Sequence, residues 1–165
     1  MTFNIRKATE KDYAAVCALF AEGDGMHREA LPHVFRDPGA PARTKEFFTE
    51  TIKNSDAVLF VAEQDGKLIG MIHAVLRSAP AIPLFVPRRY AVIDNVVVEE
   101  SHRRSGIGAA LMEHVHRWAF EKGVTQVELN VWEFNEGAIA FYEKLGYTTA
   151  SRKMWKTLEE GGGRR

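Results

Sequence analysis

The chain has 165 residues, of which 45% are hydrophobic and 27% charged, and its 22 basic and 22 acidic side chains give a formal net charge of +0. This composition is typical of one globular domain with a genuine core, and it favours neither nucleic acid nor an anionic membrane as a partner. The absence of a signal-peptide pattern and of an apolar run near the ~20 residues of a membrane span, together with a single cysteine, Cys17, predicts a cytoplasmic protein.

The first half of the chain mixes helical and strand periodicities. These predict strands at residues 3–7, 57–62 and 68–76, and helices at residues 11–22 and 44–53. Gly23 and Gly25 are expected to end the first helix, and a short second helix interrupted by Pro32 is expected within residues 26–35. Residues 64–67 predict a hairpin turn. Residues 77–89 contain three prolines and predict an irregular connecting loop, which either folds on the core or walls a binding site.

The second half is organised around a predicted central strand. Segments with regular periodicity predict strands at residues 90–98 and 125–132, helices at residues 107–122 and 136–145, and a terminal strand or strand pair at residues 147–158. The charged, glycine-rich residues 159–165 predict a disordered tail. Without an internal repeat, residues 1–158 are expected to form a single domain.

The segment between the central strand and the next helix has the character of an anion site. Glycines at positions 106 and 108 precede a helix start, where unpaired N–H groups and the helix dipole attract phosphate. Arg103 and Arg104 add two permanent cations. A mononucleotide loop would require Gly-Lys-Ser/Thr, and a dinucleotide fingerprint would require glycine where Leu111 stands, so both of those interpretations are weak.

Two motifs then point to a family. Arg103-x-x-Gly106-x-Gly108 resembles the acyl-CoA pyrophosphate loop of the GCN5-related N-acetyltransferases, and residues 135–147, NEGAIAFYEKLGY, resemble the second signature of that family. The resemblance implies an α/β (α+β) fold of the GNAT type. Its sheet would be mixed and mostly antiparallel, with six to seven strands, helices on both faces and a splay between strands 4 and 5.

The resemblance also implies acetyl-CoA as co-substrate and assigns residues to it. The residues expected to contact the cofactor are Val96, Val97, Val98, Arg103, Arg104, Ser105, Gly106, Ile107, Gly108, Ala109, Asn135 and Tyr142. The backbone of the three valines would pair with the pantetheine arm as an added strand. Asn135 is equally a helix N-cap.

Direct transfer from a thioester requires a neutral amine, a donor to the carbonyl oxygen and a proton for the departing thiolate. Tyr142 is the candidate general acid, and its alternative is a core aromatic residue. Asp94 is the candidate base, by similarity to the diamine acetyltransferases, and it equally fits a carboxylate that binds backbone donors or faces solvent. Other polar candidates for the base or the acceptor side are Glu133, Glu63, His27 and Tyr90.

The acceptor is expected to be a primary amine on a small molecule, namely an amino acid, a polyamine-like amine or an antibiotic-like amine. Arg77, Arg88 and Arg89 argue against a polyamine and instead suit an acceptor that carries a carboxylate. A protein N-terminus or lysine, or a CoA-binding sensor without turnover, are the alternatives. No His or Cys cluster indicates a metal site. The resemblance further suggests a homodimer.

Overall fold

The computed structural model describes residues 2–159, which divide into one compact unit ending at Asn130 and a second beginning at Val131. The larger unit contains a five-stranded sheet in the order β1-β2-β3-β4-β5. Its strands are β1 (Asn4–Lys7), β2 (Ala57–Gln64), β3 (Lys67–Ser78), β4 (Arg89–Val98) and β5 (Val127–Leu129). The first four strands pair antiparallel and β5 pairs parallel to β4, as the predicted mixed sheet requires.

The prediction of six to seven strands is wrong for the described residues. Residues 147–158, where a terminal strand or strand pair was predicted, have no regular structure. Met154, Trp155 and Leu158 of this segment are 60–84% exposed, so its apolar side chains provide no buried face against which a strand would form. β5 is also shorter than predicted, because its ladder with β4 contains three residue pairs.

Helices cover both faces of the sheet in the larger unit. They are α1 (Tyr13–Ala30), α2 (Lys45–Lys53) and α3 (Ile107–Glu121). Gly23 of α1 faces the Val97 side chain, whereas Ile107 of α3 faces Gly70, the pairing partner of Val98. Neighbouring residues of a strand point to opposite faces, so α1 and α3 lie on opposite sides of β4. Buried residues of α1 and α2, with Leu59, Val61 and Met71 of the sheet, form a core cluster on the first side.

Helix α1 continues through the two glycines that were predicted to end it. A Cβ atom at Gly23 would lie 3.0 Å from Val97 Cγ2, so this glycine permits a close approach of helix and strand. The separate helix predicted within residues 26–35 is therefore wrong, since residues 26–30 form the last turns of α1. The helix ends before Pro32, and the Leu31 N–H donates to the His27 carbonyl at 2.8 Å.

The other predicted elements of the larger unit are confirmed with small changes of boundary. The hairpin between β2 and β3 turns at Asp65 (φ 51°) and Gly66 (φ 78°), the backbone signature of a type I′ turn. Residues 79–88 are irregular. Thr44 caps α2 by accepting a hydrogen bond from the Phe47 N–H at 3.2 Å.

The smaller unit contains one helix, α4 (Glu136–Lys144). The Asn135 side chain accepts a hydrogen bond from the Ala138 N–H at 3.2 Å, so its predicted N-cap role is confirmed. Trp132 and Trp155 place their ring centroids 5.7 Å apart. Within residues 2–159, no helix has the length and apolar character that crossing a bilayer requires. Residues 160–165 of the predicted tail lie outside the described residues.

Candidate active site

The polar edge of β4 is the first component of the site. β5 pairs with β4 only at residues 91–93, so the edge of β4 that faces β5 has no paired strand from Asp94 to Val98. The Glu99 N–H donates to the Ile69 carbonyl on β3, at 2.9 Å. By alternation, the N–H and C=O groups of Val96 and Val98 point to the opposite, open edge. This opening of the sheet corresponds to the splay predicted between strands 4 and 5.

The loop after β4 supplies the second component, a set of backbone N–H groups. Gly106 is the N-cap of α3 and has a φ of 85°, a left-handed conformation that glycine adopts without strain. The Ala110 N–H donates to the Gly106 carbonyl, whereas the N–H groups of Ile107, Gly108 and Ala109 have no acceptor within residues 2–159. Ile107 is buried and anchors the helix, so these donors are held at a fixed place on the surface. The arrangement suits a phosphate or pyrophosphate.

The two arginines of the loop have different surroundings. The Arg103 guanidinium donates to the Val98 carbonyl at 3.1 Å and pairs with Glu22 of α1 at 3.2 Å. Glu22 also accepts from the Glu100 N–H at 2.8 Å, so Arg103 helps to tie the loop to α1 and β4. Arg104 is exposed, has a φ of 61°, and forms no ion pair with the residues that the structure describes. Of the two cations, Arg104 is therefore the one available to an anion.

Ser105 and the three valines complete the predicted cofactor residues of the larger unit. The Ser105 hydroxyl donates to the His102 carbonyl and shapes the turn before Gly106. Val96, Val97 and Val98 are each half-buried. The Val97 side chain packs against the core cluster beneath α1. The polar groups that this segment can offer a ligand are therefore the N–H and C=O groups of its backbone.

A β-bulge in β4 defines the position of Asp94. His73 of β3 pairs with Asn95 and Ala74 pairs with Ile93, so Asp94 is the extra residue without a partner on β3. The Asp94 side chain is 35% exposed, and its Oδ2 lies 3.9 Å from His73 Nδ1. His73 was not among the predicted site residues, because an isolated polar residue in the apolar run of a strand was the only signal for it.

Charged groups near this pair come from the segment before α2. Arg43 forms an ion pair with Asp24 of α1, and its guanidinium lies 4.1 Å from the centroid of the Phe20 ring. Burial lowers the pKa of His73, the charge of Asp94 opposes that shift, and Arg43 and Arg77 add to it. His73 is therefore neutral at neutral pH, while the carboxylate in front of it faces solvent.

The remaining arginines of the predicted acceptor loop are engaged elsewhere. Arg88 pairs with Glu128 at 3.2 Å and covers the Tyr90 ring, and Arg89 pairs with Asp56 at 3.1 Å. These contacts connect the ends of strands. Of Arg77, Arg88 and Arg89, only Arg77 has no ion pair with the described residues.

Tyr142 and Asn135 belong to the smaller unit, where both lie at α4. Burial raises the pKa of Tyr142 to about 12, so the phenol keeps its proton throughout the physiological range. Its ring lies 5.3 Å from that of Phe141 and 5.9 Å from that of Tyr147. Among residues 2–159, the Tyr142 hydroxyl has no hydrogen-bond partner.

The other residues considered for the base have partners that make them poorer candidates. Glu63 binds Arg6 at 2.7 Å, and the same guanidinium holds Asp12 at 2.8 Å. His27 Nδ1 lies 2.9 Å from the Gly23 carbonyl. Glu133 lies 4.0 Å from Arg152 in the smaller unit. Asp94 is thus the acidic side chain of the larger unit that combines exposure with a place on the central strand.

A separate pocket lies away from the glycine loop. Its lining includes Ile52, Leu59, Trp118 and Lys122, at the C-terminal end of α3. Helix α3 has 15 residues, so the pocket at its C-terminal end lies about 20 Å from the glycine loop at its N-terminal end. The pocket contains three lysines and no carboxylate, so it offers no base for amine chemistry.

Comparison with known proteins defines the class to which this fold and loop belong. The family model described as the acetyltransferase (GNAT) family matches residues 26–147, which is most of the chain. The chain belongs to that family, and the predicted enzyme class, an acyl-CoA-dependent acetyltransferase, is confirmed.

Individual relatives agree with the family assignment. The chain is 34% identical over 106 residues to an N-alpha-acetyltransferase of Sulfurisphaera tokodaii, in an alignment that spans 61% of this chain and 62% of that relative. It is 26% identical over 144 residues to the uncharacterized N-acetyltransferase YhfO of Bacillus subtilis, covering 87% and 89% of the two chains. A single-site mutant of the BH1408 protein from Bacillus halodurans superimposes with a TM-score of 0.89 at 26% identity, over 94% of this chain and 99% of that one.

Proposed function

We propose that the protein transfers an acetyl group from acetyl-CoA directly to a primary amine of a small molecule. The observation that carries this proposal is the open edge of β4, which leads into the glycine loop and the N-terminus of α3. An extended pantetheine arm pairs with such an edge as an added strand, and a pyrophosphate suits the adjacent N–H groups. One continuous stretch of chain thus provides for both parts of the same cofactor.

The cofactor contacts follow from these groups. The N–H groups of Ile107, Gly108 and Ala109 and the Arg104 guanidinium bind the pyrophosphate, while Ser105 and Gly106 shape the turn. The outward groups of Val96 and the N–H of Val98 pair with the pantetheine, since Arg103 occupies the Val98 carbonyl. Asn135 is assigned to the cofactor by the family resemblance, beside its capping role.

The transfer needs no covalent enzyme intermediate. The amine nitrogen attacks the thioester carbon, a C–N bond forms and the C–S bond breaks, while a backbone N–H of the open edge polarises the carbonyl oxygen. Asp94 takes the proton that leaves the nitrogen. The family resemblance assigns Tyr142 to the departing thiolate, to which it would donate a hydrogen bond and then its proton. Burial raises the pKa of this phenol to about 12 in the absence of cofactor, which makes it a weaker acid than a thiol, so its hydrogen bond to the departing thiolate is the larger part of its contribution.

The acceptor proposal rests on the charges that face the α1 side of β4. Asp94 has no ion pair with Arg or Lys among the described residues, whereas Asp24 and Arg43 neutralise one another. A carboxylate at Asp94 that has no cationic partner within residues 2–159 suits the amine of an acceptor. Arg77 remains as a partner for a carboxylate on the acceptor. The relative named an N-alpha-acetyltransferase supports a second candidate, the α-amine of a protein or peptide.

The first experiment measures the melting temperature with acetyl-CoA, free CoA, NAD and ATP. We expect a rise with the two CoA species alone, since a ligand that binds only the native state stabilises it. The variant Gly108→Trp should abolish that rise, because the indole would fill the space above the helix N-terminus. A panel of amino acids, small amines and peptides with free N-termini then identifies the acceptor. An equal rise with NAD, or none with CoA, would contradict the cofactor assignment. Binding of CoA without any transfer would favour a sensor.

A further inference from the structure

His73 is a buried polar residue that neither the fold nor the cofactor explains. It lies in the middle of β3, between Leu59 of β2 and Asn95 of β4, and it is 5% exposed. Its Nε2 atom is buried and has no hydrogen-bond partner within residues 2–159. Leaving a polar atom buried without a partner is destabilising, so a purely structural residue at this position would be expected to be apolar.

The other ring nitrogen of His73 faces the bulged residue. The Nδ1 atom lies 3.9 Å from Asp94 Oδ2, and a hydrogen bond between the two atoms requires them to approach to about 3 Å. Bulges re-aim side chains, and this one turns the carboxylate of Asp94 over the imidazole. Phe47 of α2 covers the imidazole edge-on, with ring centroids 6.3 Å apart. The result is a solvent-facing carboxylate in front of a shielded imidazole.

We propose that His73 is a positioning residue for Asp94, which it holds through a hydrogen bond from Nδ1–H to the carboxylate while Asp94 takes the proton of the attacking amine. The proposal rests on the proposed acetyl transfer. In the step, the proton passes from nitrogen to the free carboxylate oxygen as the C–N bond forms and the C–S bond breaks. The imidazole keeps its own proton throughout.

The choice of tautomer follows from the surroundings of the ring. A proton on Nε2 would place an unpaired N–H donor in the core, which is rarer in proteins than an unpaired acceptor. A proton on Nδ1 instead faces a carboxylate. The imidazole stays neutral because burial lowers the pKa of His73, and the positive charges of Arg43 and Arg77 act in the same direction against the opposing effect of Asp94. A neutral donor orients the carboxylate without adding a charge.

Kinetics separate a positioning role from a structural one. His73→Leu removes the unpaired nitrogen, so we expect an unchanged or higher melting temperature together with a fall in kcat of about tenfold, as outer-shell partners typically show. The KM for acetyl-CoA should not change. His73→Asn places an amide donor near the Nδ1 position and should restore most of kcat. His116→Leu is the matched control, because burial also lowers the pKa of that half-buried histidine on α3, and kcat should be unchanged.

A second readout does not depend on activity. Nitrogen NMR of the imidazole should show the Nδ1–H tautomer in the wild type, and Asp94→Asn should lower the pKa of His73 because a negative charge that raises it is lost. An Nε2–H tautomer with an unmoved His73 pKa would overturn the positioning role, as would full kcat in His73→Leu. If the wild type transfers no acetyl group to any amine, the proposed function fails while the NMR result still decides whether the two side chains are coupled.

Discussion

Adding one methyl group at Gly70 provides a direct test of how α3 is seated. Gly70 lies on β3 opposite Val98, and a Cβ atom there would lie 3.2 Å from Ile107 Cγ2, 3.2 Å from the Val97 carbonyl oxygen and 3.3 Å from Leu111 Cδ1. Ile107 is the first residue of α3 and is 2% exposed. We predict that Gly70→Ala pushes the start of α3 away from the sheet, together with the anion-binding loop.

The expected magnitude follows from these three contacts. Overpacking a core by a methyl group typically costs 1–3 kcal/mol, and distances slightly inside van der Waals contact suggest about 1–2 kcal/mol here. An unfolding entropy of about 2.1 cal/mol/K per residue then predicts a fall in melting temperature of roughly 3–6 °C for a chain of this size. Displaced N–H donors should also weaken acetyl-CoA binding.

The matched control adds the same methyl group where there is room for it. A Cβ atom at Gly137, in the first turn of α4, would meet nothing within 4 Å. Helix propensity alone therefore predicts that Gly137→Ala is stabilising, by up to about 1 kcal/mol. Thermal melts followed by circular dichroism compare the stabilities of the two variants. Calorimetric titration with acetyl-CoA measures whether the anion-binding loop still binds the cofactor. A Gly70→Ala protein that melts at or above the wild-type temperature would refute the packing argument.

Three further predictions concern single side chains. Arg104→Ala should weaken acetyl-CoA binding about tenfold in calorimetric titration by removing a charge-assisted contact, whereas Arg117→Ala should not; equal affinities would remove Arg104 from the site. Tyr142→Phe should lower kcat about a hundredfold at constant KM for acetyl-CoA. Tyr147→Phe serves as the control, because burial also raises the pKa of the Tyr147 phenol to about 12. A fully active Tyr142→Phe enzyme would exclude Tyr142 as the general acid. The bond from Arg6 holds the pKa of Asp12 below its usual range, so this carboxylate stabilises the fold above about pH 4 and loses that contribution as the pH falls through its lower folded pKa. Asp12→Asn should therefore lower the free energy of unfolding by about 1.5–3 kcal/mol at pH 7. The free energy of unfolding, measured by urea denaturation, should then depend less steeply on pH in the acidic range than it does in the wild type. An unchanged pH dependence would contradict this prediction.

The central part of the fold was predictable because its local signals agree with its tertiary role. The β-branched run of β4, the turn at Asp65 and Gly66, and the periodicity of α3 each have a single structural solution. The glycine loop was recognisable for the same reason. Its glycines and arginines meet the needs of a phosphate, and these needs are local in sequence.

The failures arose where tertiary contacts decide the outcome. Gly23 looks like a helix terminator in the sequence, yet its lack of a side chain serves the contact with Val97, which lies more than seventy positions away along the chain. The segment at residues 147–158 contains β-branched and aromatic residues, but strand pairing also requires a partner edge, which local sequence does not specify. His73 was missed because its significance depends on the register of β3 against β4.

That register connects the bulge to every component of the site. Residues two apart on a regular strand point to the same face of the sheet. Because Asp94 is an extra residue, the side chains of Ile93 and Asn95 instead point to opposite faces. Without the bulge, Val97 would face α3 instead of meeting Gly23 of α1, and the outward polar groups of Val96 and Val98 would turn toward β3. The same insertion places the carboxylate of Asp94 over His73. One irregular residue therefore sets the core contact with α1, the open edge for the cofactor and the position of the candidate base, and a register shift at this point would remove all three together.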